Sequence, residues 1–200
     1  MTVLLSVTMK INTIYLDNMS IYLNPSLLTS VILMILLSLS RSDAQQFDEH
    51  QIKTVFIYNL TKMVEWPQDY LATAPFSICF LGEDVFGEVL DSLKGKTVND
   101  RALVLKKNIS LKQAQECHIL FISASEARNI THILSSLESI PVLTVSDTET
   151  FAKQGGIISF LIDRDNHTRI EINLKVAVRK GLKISSKLLS LDKVRIVEEP

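Results

Sequence analysis

Short, uninterrupted apolar runs alternate with segments of helical periodicity through the middle of the chain. The runs Phe76–Leu81 (FSICFL), His118–Ile122 (HILFI) and Pro141–Val145 (PVLTV) have the length of strands. Strands that are apolar on both faces are typical of parallel sheets, which helices cover on each side. With Ala102–Leu105 as a further strand, the alternation predicts right-handed βαβ crossovers and a sheet order of 2-1-3-4-5.

Helices fill the intervals between these strands. The first helix is predicted to begin at Asp48, with Gln51 three residues on as in a capping box, and to end at Trp66-Pro67. Ser125 is the predicted cap of the helix that follows the HILFI strand. The remaining predicted helices cover Phe86–Leu93, Leu111–Gln115 and Leu174–Lys180, and a brief helix is predicted around Phe151, from Asp147 to Gly155-Gly156.

The pattern changes near the C-terminus. Ile157–Ile162 and Arg169–Asn173 flank a polar turn and predict a hairpin, and Val194–Val197 is a candidate edge strand. The fold class that follows is a three-layer α/β domain with a mostly parallel, flavodoxin- or Rossmann-like sheet. An N-terminal helix and a C-terminal antiparallel hairpin complete it.

The N-terminal 44 residues have the pattern of a signal peptide. Leu27–Leu39 is an uncharged apolar run shorter than the ~20 residues of a membrane-spanning helix, and Ser42 and Ala44 form a small-x-small site. We therefore expect export, with residues 1–44 removed after Ala44 and residues 45–200 forming the domain. Basic residues are scarce before the run, and an uncleaved anchor is the rival interpretation.

The carboxyl ends of the strands, where doubly wound sheets bind ligands, carry no group of catalytic residues. Ser123, Ser125 and Ser146 stand there as uncharged hydrogen-bonding groups. The chain has no nucleophile elbow, P-loop or dinucleotide motif, and its four histidines have no metal-ligand spacing. We therefore expect a protein that is not an enzyme and uses no metal or cofactor. A formal net charge of −1 argues against nucleic acid as a partner.

The two cysteines, Cys79 and Cys117, fall in neighbouring predicted strands. Aligned strand ends would offset them by about three residues at ~3.3 Å each, which makes a disulfide difficult. A shift of register would permit one. The residues alone leave open a disulfide or two buried thiols.

Several side chains are candidates for contact with a ligand or partner. Trp66, the single tryptophan, suits an interface anchor or a plug beneath the helix end. Arg169, Glu171 and Asn173 share one face of a strand, either as a site or as an exposed strand face. Basic residues toward the C-terminus indicate a solvated surface or a site for an acidic partner. They are Lys175, Arg179, Lys180, Lys183, Lys187, Lys193 and Arg195.

The order of motifs resembles that of the YfiR family of periplasmic proteins (the DUF4154 domain). The matching segments are KTVFIYNLTKMVEWP (Lys53–Pro67), Gly82–Asp84 with Phe86-Gly87, GKTVNDR (Gly95–Arg101), CHILFIS (Cys117–Ser123), VLTVSD (Val142–Asp147), FAKQGGIISF (Phe151–Phe160), RIEINL (Arg169–Leu174) and GLKISSKLL (Gly181–Leu189). They cover nearly all of residues 47–191. Their joint order, more than any single motif, is specific.

The resemblance implies a periplasmic negative regulator that binds the sensor domain of a membrane diguanylate cyclase, or of a sensor kinase, and represses cyclic di-GMP signalling. It also implies a homodimer, an OmpA-like outer-membrane lipoprotein as a further partner, and a disulfide between Cys79 and Cys117. The second cysteine pair of some relatives is missing. Arg101, in the segment Gly95–Arg101, is a further candidate contact.

Two other functions fit the same residues. A small-ligand sensor or binding protein would use the crevice near Ser123, Ser125 and Ser146, where hydroxyl groups could bond an uncharged ligand. A structural component of the periplasm is the third hypothesis.

Overall fold

The computed structural model describes residues 42–198 apart from 71, 73 and 163–166, and the side chains of that range from residue 49 onward. Five α-helices and ten strands are described. The helices are α1 (Ser42–Met63), α2 (Leu111–Ala114), α3 (Ile130–Ser136), α4 (Leu174–Arg179) and α5 (Ser186–Leu189), and two 3-10 helices cover Gly87–Leu93 and Ala124–Asn129. The strands are β1 (Val64–Glu65), β2 (Phe76–Leu81), β3 (Thr97–Val98), β4 (Arg101–Lys106), β5 (Ile119–Ile122), β6 (Leu143–Ser146), β7 (Ile158–Ile162), β8 (Thr168–Ile172), β9 (Lys183–Ile184) and β10 (Val194–Ile196).

Eight of these strands form one sheet in the order β10-β8-β7-β6-β5-β2-β4-β3. Its centre, β4-β2-β5-β6-β7, is parallel throughout and confirms the predicted order 2-1-3-4-5. All residues of β2, β5 and β6 are buried, as expected for strands covered on both faces.

Two separate hydrophobic clusters lie on the two faces of the sheet. Along β2, Ile78 and Phe80 belong to the first cluster and Cys79 and Leu81 to the second, because successive side chains of a strand point to opposite faces. Helices α1, α4 and α5 contribute to the first cluster, whereas α2 and α3 contribute to the second. The predicted three-layer α/β fold is therefore confirmed.

The C-terminal part of the sheet also follows the prediction. β7 and β8 are an antiparallel hairpin, and β10 adds to β8 in parallel at the edge. The turn residues 163–166 lie outside the described residues. The predicted signal peptide, residues 1–44, lies almost wholly outside them too and stays a prediction.

The first helix differs from its prediction at both ends. It covers Ser42–Met63, so the predicted cap Asp48 lies inside it. Its capping-box signature was misleading because the residues before it include Ala44, Gln45 and Gln46, which are themselves compatible with helix. At the other end the chain leaves the helix after Met63, and β1 pairs with β9 before Trp66-Pro67 is reached.

The predicted helix around Phe151 is wrong, since turns occupy residues 149–155. Two distant side chains bind the backbone that a helix would use: Ser159 Oγ accepts from the Ala152 N–H at 2.9 Å, and Asn173 Nδ2 donates to the Ala152 carbonyl at 3.0 Å. The Phe151 ring is fully buried against Gly156, where a Cβ atom would come within 2.2 Å of it. Gly156 is therefore required by close packing.

The helices after β2 and β5 also differ from their predictions, since each begins as a 3-10 helix. Gly87–Leu93 is a 3-10 helix whose start is held by Asp84, because Asp84 Oδ1 accepts from the N–H groups of Phe86 and Gly87 at 3.1 Å each. After β5 the cap is Ser123 and not the predicted Ser125, and a 3-10 segment precedes α3.

Cys79 and Cys117 form a disulfide, with their Cα atoms 6.1 Å apart. The three-residue offset is real, since Cys79 lies opposite Leu120 in the register of β2 and β5. The bridge forms nonetheless because Cys117 precedes β5, at the point where the chain arrives from α2 on the same face. Strand alignment alone could not decide the pairing.

We expect the disulfide to contribute about 4 kcal/mol to the free energy of unfolding, because the bridge closes a loop of 38 residues. Denaturant unfolding of the oxidised protein should be compared with that of the Cys79→Ala/Cys117→Ala variant. The variant should unfold at lower denaturant and be insensitive to reductant, whereas the wild type should lose stability when reduced. Equal stability of the oxidised and reduced wild type would contradict this expectation.

Candidate functional site

Trp66 and Arg101 meet at the amino ends of the central strands, around His118. Trp66 Nε1 donates to the backbone carbonyl of His118 at 3.1 Å, and Arg101 Nη2 lies 3.1 Å from His118 Nε2. Arg101 also donates through Nε to the Ala74 carbonyl at 2.8 Å. We call Trp66, Tyr70, Phe76, Arg101 and His118 the amino-edge cluster.

His118 is the centre of the amino-edge cluster and is only 1% exposed. Its ring stacks on Phe76 at 4.3 Å between centroids, and its Nδ1 lies 3.1 Å from both N and Oγ of Ser77. Burial, helped by the positive charge of Arg101, lowers the pKa of His118 to about 4. The imidazole is therefore neutral near pH 7, and protonation would place a second cation beside the guanidinium.

Tyr70 joins this cluster to the disulfide. Its hydroxyl lies 2.8 Å from the carbonyl of Cys117 and 3.2 Å from that of Gln115. Burial raises the pKa of Tyr70 to about 12, so the hydroxyl remains a donor at neutral pH. A cleft of about 310 Å³ opens beside Trp66, Tyr70 and Arg101.

Trp66 packs as a plug beneath the helix end, and its role as an interface anchor stays a prediction. Its ring meets Phe76 edge-on at 5.2 Å and is half-buried, so it plugs the end of the helical layer. Its remaining surface lines the cleft. The sequence pattern placed His118 at the start of a strand without indicating a role for it, and it did not single out Tyr70. An ionisable residue at the start of a fully apolar strand was the signal for His118.

The serines predicted at the carboxyl edge are engaged in caps and turns. Ser123 Oγ accepts from the Ser125 N–H at 3.4 Å, and Ser125 Oγ accepts from the Glu83 N–H at 2.9 Å. Ser146 Oγ lies 3.1 Å from the Thr148 hydroxyl and accepts from the Thr148 N–H at 3.2 Å. Their role in ligand binding stays a prediction.

An ion-pair network that the sequence did not indicate lies at the same edge. Lys53 of α1, 5% exposed, contacts Asp147 at 2.9 Å and Glu49 at 2.6 Å. Burial alone would lower the pKa of Lys53, but the two carboxylates outweigh it and hold that pKa above its usual value. These residues and Arg169 line a cleft of about 300 Å³.

The predicted polar face of β8 divides into structural and exposed residues. Asn173 is buried and caps α4, since its Oδ1 accepts from the Val176 N–H at 3.1 Å. Glu171 is 7% exposed, and its Oε1 lies 3.7 Å from Nε of the half-exposed Arg169. Glu171 Oε2 is buried without a hydrogen-bond partner among the described residues.

Lys180 does not belong to the basic surface with which the sequence grouped it. Its ammonium is buried and donates to the carbonyls of Leu137 and Ile140, just past the end of α3. Burial lowers the pKa of Lys180 to about 8.

Within the described residues, no group of three or more His, Cys, Asp and Glu side chains could hold a metal ion. No described helix is both long and apolar enough to cross a membrane.

A family model described as DUF4154, YfiR/HmsC-like, matches residues 50–193. The chain belongs to this family. Membership supports a role as a periplasmic regulator in cyclic di-GMP signalling. No curated protein matches the sequence.

Among the solved structures that the chain resembles, two are distant in sequence. A conserved domain protein from Vibrio cholerae is 12% identical, with a TM-score of 0.47, 65% of this chain covered and 57% of that chain. A substrate-binding protein with adhesive properties from Clostridium difficile, in its open, ligand-free form, is 11% identical, with a TM-score of 0.45 and coverages of 66% and 59%. The chain thus spans less than two thirds of either structure, and neither bears on its function.

Lowering the pH should destabilise the protein through His118. Its pKa is about 4 in the folded protein and 6.5 when exposed, so the unfolded chain binds the proton more tightly. Stability is full above pH 6.5 and falls between pH 6.5 and 4, by up to about 3 kcal/mol at 1.36 kcal/mol per pKa unit. Urea unfolding of the wild type and of His118→Gln across this range measures the effect. If stability depends on pH equally in the wild type and in His118→Gln, groups other than His118 cause that dependence.

Removing the Lys53 ammonium should destabilise the fold by about 3–5 kcal/mol, because Asp147 would remain half-buried without its partner. Lys53→Met and the double variant Lys53→Met/Asp147→Asn, compared by thermal unfolding, test this. The double variant should recover part of the lost stability, since it no longer leaves an unpaired charge. A double variant that is less stable than the single one would contradict the pairing.

Proposed function

We propose that the chain is a periplasmic negative regulator that binds the periplasmic sensor domain of an inner-membrane diguanylate cyclase and holds that enzyme inactive. The observation that carries the proposal is the family match over residues 50–193, which takes in most of α1 and seven of the eight strands of the main sheet. The regulator acts by binding and not by catalysis. A sensor kinase in place of the cyclase, an OmpA-like lipoprotein as a second partner, and a homodimer belong to the same proposal.

The geometry of the amino-edge cluster supports a role in binding more than a role in catalysis. His118 is neutral, stacked and hydrogen-bonded on the Nδ1 side of its ring. Trp66 and Tyr70 present aromatic surface to the cleft from positions held by hydrogen bonds to the backbone. Aromatic residues that are already ordered before binding lose little entropy at an interface and are enriched among its strongest contacts.

A small-ligand binding protein is the second candidate. The cleft of about 300 Å³ beside Lys53, Asp147 and Arg169 favours it, because it lies at the carboxyl ends of parallel strands, where such folds bind ligands. Charges of both signs would suit a small zwitterion.

The protein purified from cells that express the full chain should capture a diguanylate cyclase or sensor kinase from detergent-solubilised membranes of its own organism, as identified by mass spectrometry. The captured cyclase, reconstituted with increasing amounts of the protein, should form cyclic di-GMP more slowly. Capture of no signalling enzyme, together with thermal stabilisation by a metabolite, would favour the second candidate instead.

Trp66 can be tested in the same assay. Trp66→Ala should weaken inhibition by at least about tenfold if its ring contacts the partner, whereas Trp66→Phe should retain most of it because the ring still packs on Phe76. Thermal unfolding of both variants identifies the temperatures at which they are folded, and inhibition is compared within that range. Inhibition by folded Trp66→Ala at the wild-type concentration would exclude Trp66 from the interface.

A further inference from the structure

The most exposed large hydrophobic side chains lie along one side edge of the sheet, beside the edge strand β10. Among the described residues they are Val55 (58% exposed), Leu191 (42%), Val178 (64%) and Ile196 (58%). Scattered apolar residues are normal on a protein surface, but grouped ones mark interaction sites. Val55 and Leu191 line one groove, and Val178 and Ile196 line another.

The two grooves lie at opposite ends of β10. The first, of about 590 Å³, includes Leu191, Asp192 and Lys193, which lead into this strand. The second, of about 530 Å³, includes Ile196 and Val197 at its end. An extended segment lying along β10 would therefore reach an apolar groove at each of its ends.

The outer side of β10 carries no further strand among the described residues. In the described part of the chain β10 pairs with β8 alone. The Ile170 N–H donates to the Lys193 carbonyl and the Val197 N–H donates to the Ile172 carbonyl, each at 2.9 Å. The backbone groups of Lys193 and Val197, at the two ends of β10, therefore face β8. Because the backbone groups alternate in direction along a strand, the N–H and carbonyl of Ile196 point away from the sheet.

The charges of this edge oppose a second copy of the chain as its occupant. Antiparallel pairing of two copies of β10 about its central residue would set Arg195 against the Arg195 of the other copy, and like charges directly opposite are destabilising. Basic residues on an edge strand commonly prevent such self-pairing. Asp192 lies in the first groove, and Glu198 lies in the second, where it pairs with Lys175. Lys193 and Arg195, which form no ion pair with another described residue, complement a strand that carries carboxylates between these two positions.

The two faces of β10 define the pattern of that strand. Val194 and Ile196 pair in register with Ile170 and Ile172, on the face of α1 and α4. Arg195 lies on the other face, in register with Glu171. A strand added beside them alternates its side chains in the same way, so apolar residues would lie along the grooves and acidic ones beside Arg195.

We propose that β10 is a docking edge, which takes an extended segment of alternating apolar and acidic residues from the partner protein as an added strand. The identity of that partner rests on the proposed function, whereas strand addition does not. The family match ends at residue 193, immediately before β10, so this edge lies outside the part of the chain that matches the family.

The probe is an eight-residue peptide of alternating valine and glutamate, capped at both termini, with a valine–lysine peptide as its control. Fluorescence anisotropy at low salt should show binding of the acidic peptide and not of the basic one. Ile196→Pro should weaken this binding by at least about tenfold, because proline removes an outward N–H without breaking a bond to β8. Arg195→Glu should reverse the preference between the two peptides. Thermal unfolding checks that both variants fold.

Each failure has a distinct meaning. Binding of the acidic peptide that is unchanged in both variants overturns the inference. So does a wild-type dimer, detected by sedimentation, that Ile196→Pro converts to monomer, since a second copy would then occupy the edge. If the wild type and Ile196→Pro inhibit the captured cyclase equally, docking at β10 is overturned while the proposed function stands. A wild type that inhibits no cyclase removes the proposed function, and the peptide measurement then decides strand addition alone.

Discussion

The burial of β2 on both faces is the constraint on which the rest of the structure depends. All six of its residues are buried, and it pairs in parallel with β4 on one side and β5 on the other. A strand so placed must have every backbone group hydrogen-bonded and a helical layer on each face. The candidate sites therefore lie at the ends of the central strands and on the outer strands β8 and β10.

The two ends of the sheet are built differently. At the amino ends, aromatic rings enclose one neutral imidazole, and the hydrogen bond from Trp66 to the His118 carbonyl joins the segment that follows α1 and β1 to the central strands. At the carboxyl ends, Lys53 of α1 is bound by the carboxylate of Asp147 after β6. The first helix is thus held at both ends of the sheet, once by aromatic packing and once by a buried charge pair.

The fold was largely predictable because its determinants are local or periodic. Phe76–Leu81 was predicted with its observed bounds, and the hairpin of β7 and β8 followed from two β-rich runs around a polar turn. The prediction failed where distant side chains replace local bonds. Ser159 and Asn173, seven and 21 residues after Ala152, bind the backbone that would otherwise complete a helix near Phe151.

The sequence indicated many of the residues in the candidate sites, but it did not indicate which of them lie together in the folded protein. Trp66 and Arg101 stand 35 positions apart in the sequence, and only the parallel order of β4, β2 and β5 brings them to the same histidine. The pairing of Lys53 with Asp147, 94 residues apart, has no local signature either. The sequence by itself determined the longer strands, their buried faces and the order of the central five, since apolar periodicity acts over a few residues. The two-residue strands β1, β3 and β9 were not predicted. The tertiary structure decided the disulfide, the amino-edge cluster and the outer edge at β10, because each requires segments distant along the chain to meet in one register.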